Sequence, residues 1–254
     1  EDRASDVALM VKKKKVVEGP SIPVPKWEVN VFKMAEHGQM VELKKMIAAW
    51  TEDSPYEQKD PEGRTIFACA ARGGQLEMCE YLVKQGALIN VPAYQGFLPI
   101  HFAAMMQKMP VLEFLIAQGA DVTAADAHGN TPLHYASRCP AANPVKWLIA
   151  AGANAEQCNN QKQSALHLAS YAGLGMIMKA LVDLGANVSL QDKRGNTPLH
   201  YTVRGGHAIQ TRLLLTAGAD VTIEDSGSAS VQSLIDATSP AFKEKMAVKV
   251  VGGM

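Results

Sequence analysis

The chain has 254 residues, 47% apolar and 20% charged, a composition that buries a core of fair size. Its 25 basic and 25 acidic side chains cancel, so no global field favours nucleic acid or an anionic membrane. No apolar run approaches the roughly 18 residues that a membrane span needs, which excludes membrane insertion by a helix.

Residues 1–28 stand apart in composition. They carry Lys12 to Lys15 in a row and then EGPSIPVPKW, where Pro20, Pro23 and Pro25 favour an extended path. A segment of this kind has no core of its own, so the expectation is that the rest of the chain or a partner holds it. The lysine run reads as a solvated tail, with a nuclear import signal or a contact to an anionic surface as the alternative. Glu1, Asp2, Asp6 and Glu18 nearly cancel its charge, which argues against nucleic-acid binding. Residue 1 is glutamate, so import into an organelle with removal of a targeting peptide stays open beside a cytoplasmic or nuclear location. Cys69, Cys79, Cys139 and Cys158 form no CxxC pair and no zinc spacing, which predicts a reducing compartment and no disulfide framework.

Residues 29–59 predict a helix pair, NVFKMAEHG followed by QMVELKKMIAAW. From residue 60 to 225 the chain repeats. Gly-Ala recurs at Gly86, Gly119, Gly152, Gly185 and Gly218, each step 33 residues. A turn glycine recurs at Gly63, Gly96, Gly129 and Gly195, with Lys162 in the one gap. The tetrad TPLH is complete at Thr131–His134 and Thr197–His200, and varied as LPIH at Leu98–His101, SALH at Ser164–His167 and TIFA at Thr65–Ala68. Each unit predicts a turn such as Asp126–Gly129, then a helix opened by threonine at the N-cap and proline in its first turn. A second helix follows, such as Val111 to Gln118, and Gly-Ala ends it. Such a unit cannot bury its apolar face alone and must stack. Within residues 226–254, Ser230 to Ala237 and Ser239 to Val248 predict a last helix pair.

Three rulers in one register, with the tetrad T-P-L-H, resemble the ankyrin-repeat family, whose period is 33 residues. The resemblance implies an all-α solenoid: stacked helix-turn-helix units with short β-turn or hairpin connections, five clear repeats at 60–225, and degenerate capping pairs at 29–59 and 226–254. It implies that His101, His134, His167 and His200 are structural. It also implies that a partner protein binds the concave side, made of turn tips and the exposed face of each first helix.

The repeat register names those positions. Four residues after the tetrad histidine or its replacement stand Arg72, Met105, Arg138, Tyr171 and Arg204, and Met106 follows Met105. The tips add Arg64, Tyr94, Phe97, His128, Lys193 and Arg194. Arginine, aromatics and methionine are favoured at interface centres. The alternation of cation and apolar side chain predicts a partner segment in which acidic and apolar groups alternate.

No nucleophile elbow, Walker loop, HExxH or dinucleotide fingerprint occurs, and no cofactor is expected. The stretch QGFLPIHFAAMMQKMP, with His101, Met105, Met106 and Met109, resembles a Cu(I) ligand set at first sight. The repeat register separates these residues: histidine structural, Met109 in the core, Met105 and Met106 exposed on the first helix. The functional expectation is a non-catalytic protein-binding scaffold, as an accessory subunit of a larger assembly. The alternative is a regulatory adaptor or inhibitor that binds transiently.

Overall fold

The structure is a computed structural model that describes residues 28–49 and 55–247. The expectations for the first 27 residues, for Lys12 to Lys15 and for the end from Val248 onward lie outside the described residues. Among the described residues the chain forms helix pairs throughout: α1 (Glu28–Glu36) with α2 (Met40–Ala48), α3 (Ile66–Gly73) with α4 (Leu76–Lys84), α5 (Pro99–Met105) with α6 (Met109–Ala117) and α7 (Pro132–Ala136) with α8 (Asn143–Ala150). Then come α9 (Ala165–Tyr171) with α10 (Gly175–Asp183), α11 (Pro198–Arg204) with α12 (Ala208–Thr216) and α13 (Val231–Asp236) with α14 (Pro240–Ala247).

The first helices of the pairs form one continuous row, α1, α3, α5, α7, α9, α11 and α13, each packed on the next. The second helices from α4 to α14 form a second row behind it. Ala70, Ala103, Ala136 and Ala169 are fully buried between first helices, and their small size lets the backbones approach. Between the rows lie Leu82, Leu115, Leu148 and Leu181, at the same place in four successive second helices and fully buried. Each such leucine contributes about 1.5–3 kcal/mol by leaving water, and none can do so without the neighbouring pair.

The turn tips are built by a carboxylate or amide at one repeat position. Asp126 Oδ1 accepts the backbone N–H groups of His128 and Asn130, at 2.8 and 2.9 Å. Asp60, Asn159, Asp192 and Asp225 do the same for their own turns. Successive tips are then tied by one backbone bond per repeat: Tyr94 to Glu62, Ala127 to Gln95, Asn160 to His128, Lys193 to Gln161 and Ser226 to Arg194, at 2.8–3.0 Å. The connections are thus hairpin-like turns; β pairing within the turns is limited to isolated bridges at Lys59–Thr65 and Glu224–Ser230 among the described residues.

One repeat departs from this pattern. Ala93 occupies the aspartate position and has no side-chain acceptor, so the tip winds into a 3-10 turn at Tyr94–Gly96 with Gln95 at φ 57°. In the same repeat Gln107 holds φ 55° where Gly74, Gly173 and Gly206 stand in others. The second helix there begins at Met109, two residues ahead of the expected Val111 and in step with the starts of α4, α10 and α12, with Pro110 tolerated in its first turn. In the next repeat Pro140 takes the same turn position. Proline cannot adopt positive φ and disfavours helical backbone before it, and α7 stops at Ala136.

Candidate functional site

The tips and the C-terminal ends of the first helices face each other across two open grooves. The first, of about 420 Å³, is lined by Arg64, Arg72, Tyr94, Phe97, Phe102 and Met105, among others. The second, of about 570 Å³, is lined by Arg138, Tyr171, Lys193, Arg194 and Tyr201, with Gln161, Gln163 and Asp192 among its other walls.

The first groove is apolar in effect although two arginines border it. Arg64 is held by Asp60 in a two-pronged pair, Nε and Nη2 each donating to Oδ2 at 2.8 and 2.7 Å. Its Nη1 also donates to Glu62 at 2.8 Å, and the side chain is only 12% exposed. Arg72 donates to Glu36 of the preceding pair at 2.5 Å. Phe97 leans into an aromatic cluster with Phe102, Tyr135 and His101, ring centroids 5.2–5.8 Å away. Tyr94 stands 73% exposed at the mouth.

The second groove is cationic. Arg138, Lys193 and Arg194 are exposed and form no ion pair among the described residues. The one carboxylate in its lining, Asp192, is buried. It accepts from the Tyr201 hydroxyl at 2.5 Å and from the backbone N–H groups of Arg194 and Asn196. Burial and this carboxylate push the Tyr201 phenol up, so it remains a donor. Tyr171 is 72% exposed and meets the Tyr201 ring edge-on at 5.9 Å.

The remaining candidate positions, His128, Met106 and Arg204, line neither groove. His128 sits at an exposed tip with Nε2 3.2 Å from Gln95 Oε1. Met106 is the exposed C-cap of α5, whereas Met105, expected to be exposed as well, is half-buried in the wall of the first groove. Arg204 is paired with Asp225 and also donates to Asn196. Asp225 is held down to about 2, first by the Ala229 N–H and then by Arg204. The alternation of three cations with apolar side chains therefore differs in charge from the expectation: Arg72 and Arg204 are neutralised by carboxylates of other turns and helices, and Arg138 alone of the three carries unpaired charge among the described residues. The reading from the repeat register missed Phe102 and Tyr201. The signal was present, since aromatic residues follow the tetrad histidine at 102, 135 and 201, twice with an aspartate nine residues before them.

The tetrad histidines are fully engaged. His134 Nδ1 accepts the N–H of Thr131 at 3.1 Å, and its Nε2 donates to the Gln163 carbonyl of the next repeat at 2.9 Å. His101, His167 and His200 repeat the arrangement onto Ala124, Asn196 and Ala229. Burial lowers all four imidazoles, which therefore stay neutral near pH 7. With both nitrogens of His101 in use and Met109 packed against the core, the histidine and methionines of that stretch do not converge on one ligand. Burial pushes the Cys69 and Cys79 thiols up to about 12, and it raises Cys139 and Cys158 as well. None of these is an activated nucleophile. No helix among the described residues is long and apolar enough to cross a membrane.

A family model described as ankyrin repeats matches the chain in three overlapping copies, over residues 32–126, 95–157 and 133–225. A search of curated proteins returned no match. Ankyrin repeats generally mediate binding between proteins and are typically non-catalytic. With the tetrad, the tip ladder and the stacked helix pairs in one register across most of its length, this chain belongs to the ankyrin-repeat family.

Proposed function

We propose that this chain is a non-catalytic scaffold that binds a partner protein through the first-helix face and the turn tips, as a stoichiometric accessory subunit of a larger assembly. The observation that carries the reading is the pair of open grooves, each with a large tyrosine, Tyr94 or Tyr171, standing more than 70% exposed at its edge. Exposed aromatics beside a concave wall are what interface centres are made of.

A second feature favours a permanent assembly over a transient adaptor. Met176 and Ile209, at matching places near the start of α10 and α12, are 71% and 64% exposed, and Trp147 of α8 is also exposed. Large apolar side chains therefore stand on the second-helix row as well as at the grooves, and obligate interfaces are the more apolar ones. Affinity purification of the full chain with quantitative mass spectrometry tests this. One partner set in constant ratio is the expected result. Many substoichiometric partners would support the adaptor, and no protein partner at all would overturn the reading.

A further inference from the structure

The two grooves share five repeat positions, yet they select opposite chemistry. We infer that the partner segment is extended and two-pointed: an apolar side chain seats in the first groove, and an acidic side chain seats in the second, five to six residues away. This inference rests on the protein-binding reading and specifies what that face takes.

Charge accounting separates the grooves. Around the first, Arg64 and Arg72 are matched by Asp60, Glu62 and Glu36, two cations against three carboxylates. An incoming acid gains nothing there, whereas Phe97, Phe102 and Met105 offer apolar wall. A methionine also adapts its shape to an apolar guest. Around the second, Arg138, Lys193 and Arg194 face a single carboxylate, Asp192, whose oxygens are already taken by three donors. An unpaired cation cluster beside a tyrosine pair draws a carboxylate and excludes a cation.

The spacing follows from the stack. Met105 and Tyr171 mark the grooves and lie two repeats apart. Packed helices stand roughly 8–10 Å apart, which puts the two points about 16–20 Å from each other. An extended segment advances about 3.3 Å per residue and covers that distance in five to six residues. A helical segment would need about eleven to thirteen.

The test is selection of random 16-residue peptides, displayed on phage, against the full chain. Synthetic copies of the enriched peptides are then measured by fluorescence anisotropy against variants. The expected result is enrichment of an aromatic or aliphatic residue with Asp or Glu five to six positions away. Binding should fall about tenfold or more in Lys193→Ala/Arg194→Ala. Replacing the peptide's acid with alanine should remove that sensitivity, and Met105→Ser should weaken binding through the apolar residue alone. Enriched peptides that lose binding with Tyr171→Ala but show no acid at that spacing, or an acid uncoupled from Lys193 and Arg194, would overturn the two-point inference and leave the protein-binding face standing. Peptides indifferent to both Tyr171→Ala and Met105→Ser would overturn the face itself, and a selection that enriches nothing would count against both.

Discussion

The first groove and the second share five repeat positions, Arg72 with Arg138 and Met105 with Tyr171 among them, but the second adds Lys193 and Arg194 from a third repeat, and carboxylates neutralise the cations of the first alone. Arg72 and Arg138 stand at the same place in their repeats. Arg72 meets Glu36 of the preceding pair, whereas Arg138 meets no carboxylate among the described residues. In a repeat protein, then, the charge a residue shows to a partner is decided by the repeat beside it as much as by its own identity.

The largest effect on this comparison should come from breaking the scaffold that holds the halves together. His134 joins the Thr131 cap to the Gln163 carbonyl, and Gln163 lines the second groove. His134→Ala leaves the buried Thr131 N–H without its acceptor and takes one of two donors from the Gln163 carbonyl, which keeps the Asn159 N–H, a loss of about 1–3 kcal/mol. Urea unfolding should show it.

Acidification should strike both halves together. All four tetrad imidazoles are lowered by burial. The folded chain therefore binds fewer protons than the unfolded chain, and stability is fully present above about pH 6.5, the ordinary histidine value. It should be lost as pH falls through the lowered values, so Tm measured from pH 7.5 down to 5 should drop. A Tm unchanged over that range would contradict the neutral, engaged histidines.

Smaller changes sharpen the contrast. Glu36→Gln unmasks Arg72 in a partly exposed pair, so urea unfolding should shift by no more than about 1 kcal/mol. Gln107→Gly should raise stability by about 0.5 kcal/mol, since relief of left-handed strain outweighs the added freedom of the unfolded glycine. It would show strain in the first half that Gly173 and Gly206 avoid in the second.

Most of the fold was legible because each device is local. Thr131-Pro132 opens a helix, Gly152 at φ 99° ends one, and His134 reaches only the next turn. The missing aspartate at Ala93 and the proline at Pro140 were visible too, although their outcomes, a 3-10 turn and a shortened α7, depend on how the backbone accommodates them. The candidate site was legible only as positions. The Arg72–Glu36 and Arg204–Asp225 pairs bridge 36 and 21 residues, neither of them the repeat step, so reading one register column could not reveal them. Phe102 and Tyr201 stand one place after the tetrad histidine, outside the columns from which the concave face was read, yet both border a groove.

The central claim is that this face binds the partner, and the most direct measurement is partner recovery by the double variant Arg138→Ala/Tyr171→Ala. Both side chains are exposed, so Tm should stay close to that of the parent chain. The partner set recovered in constant ratio by the parent should be lost from the variant. Full recovery of that partner by a folded double variant would contradict the account.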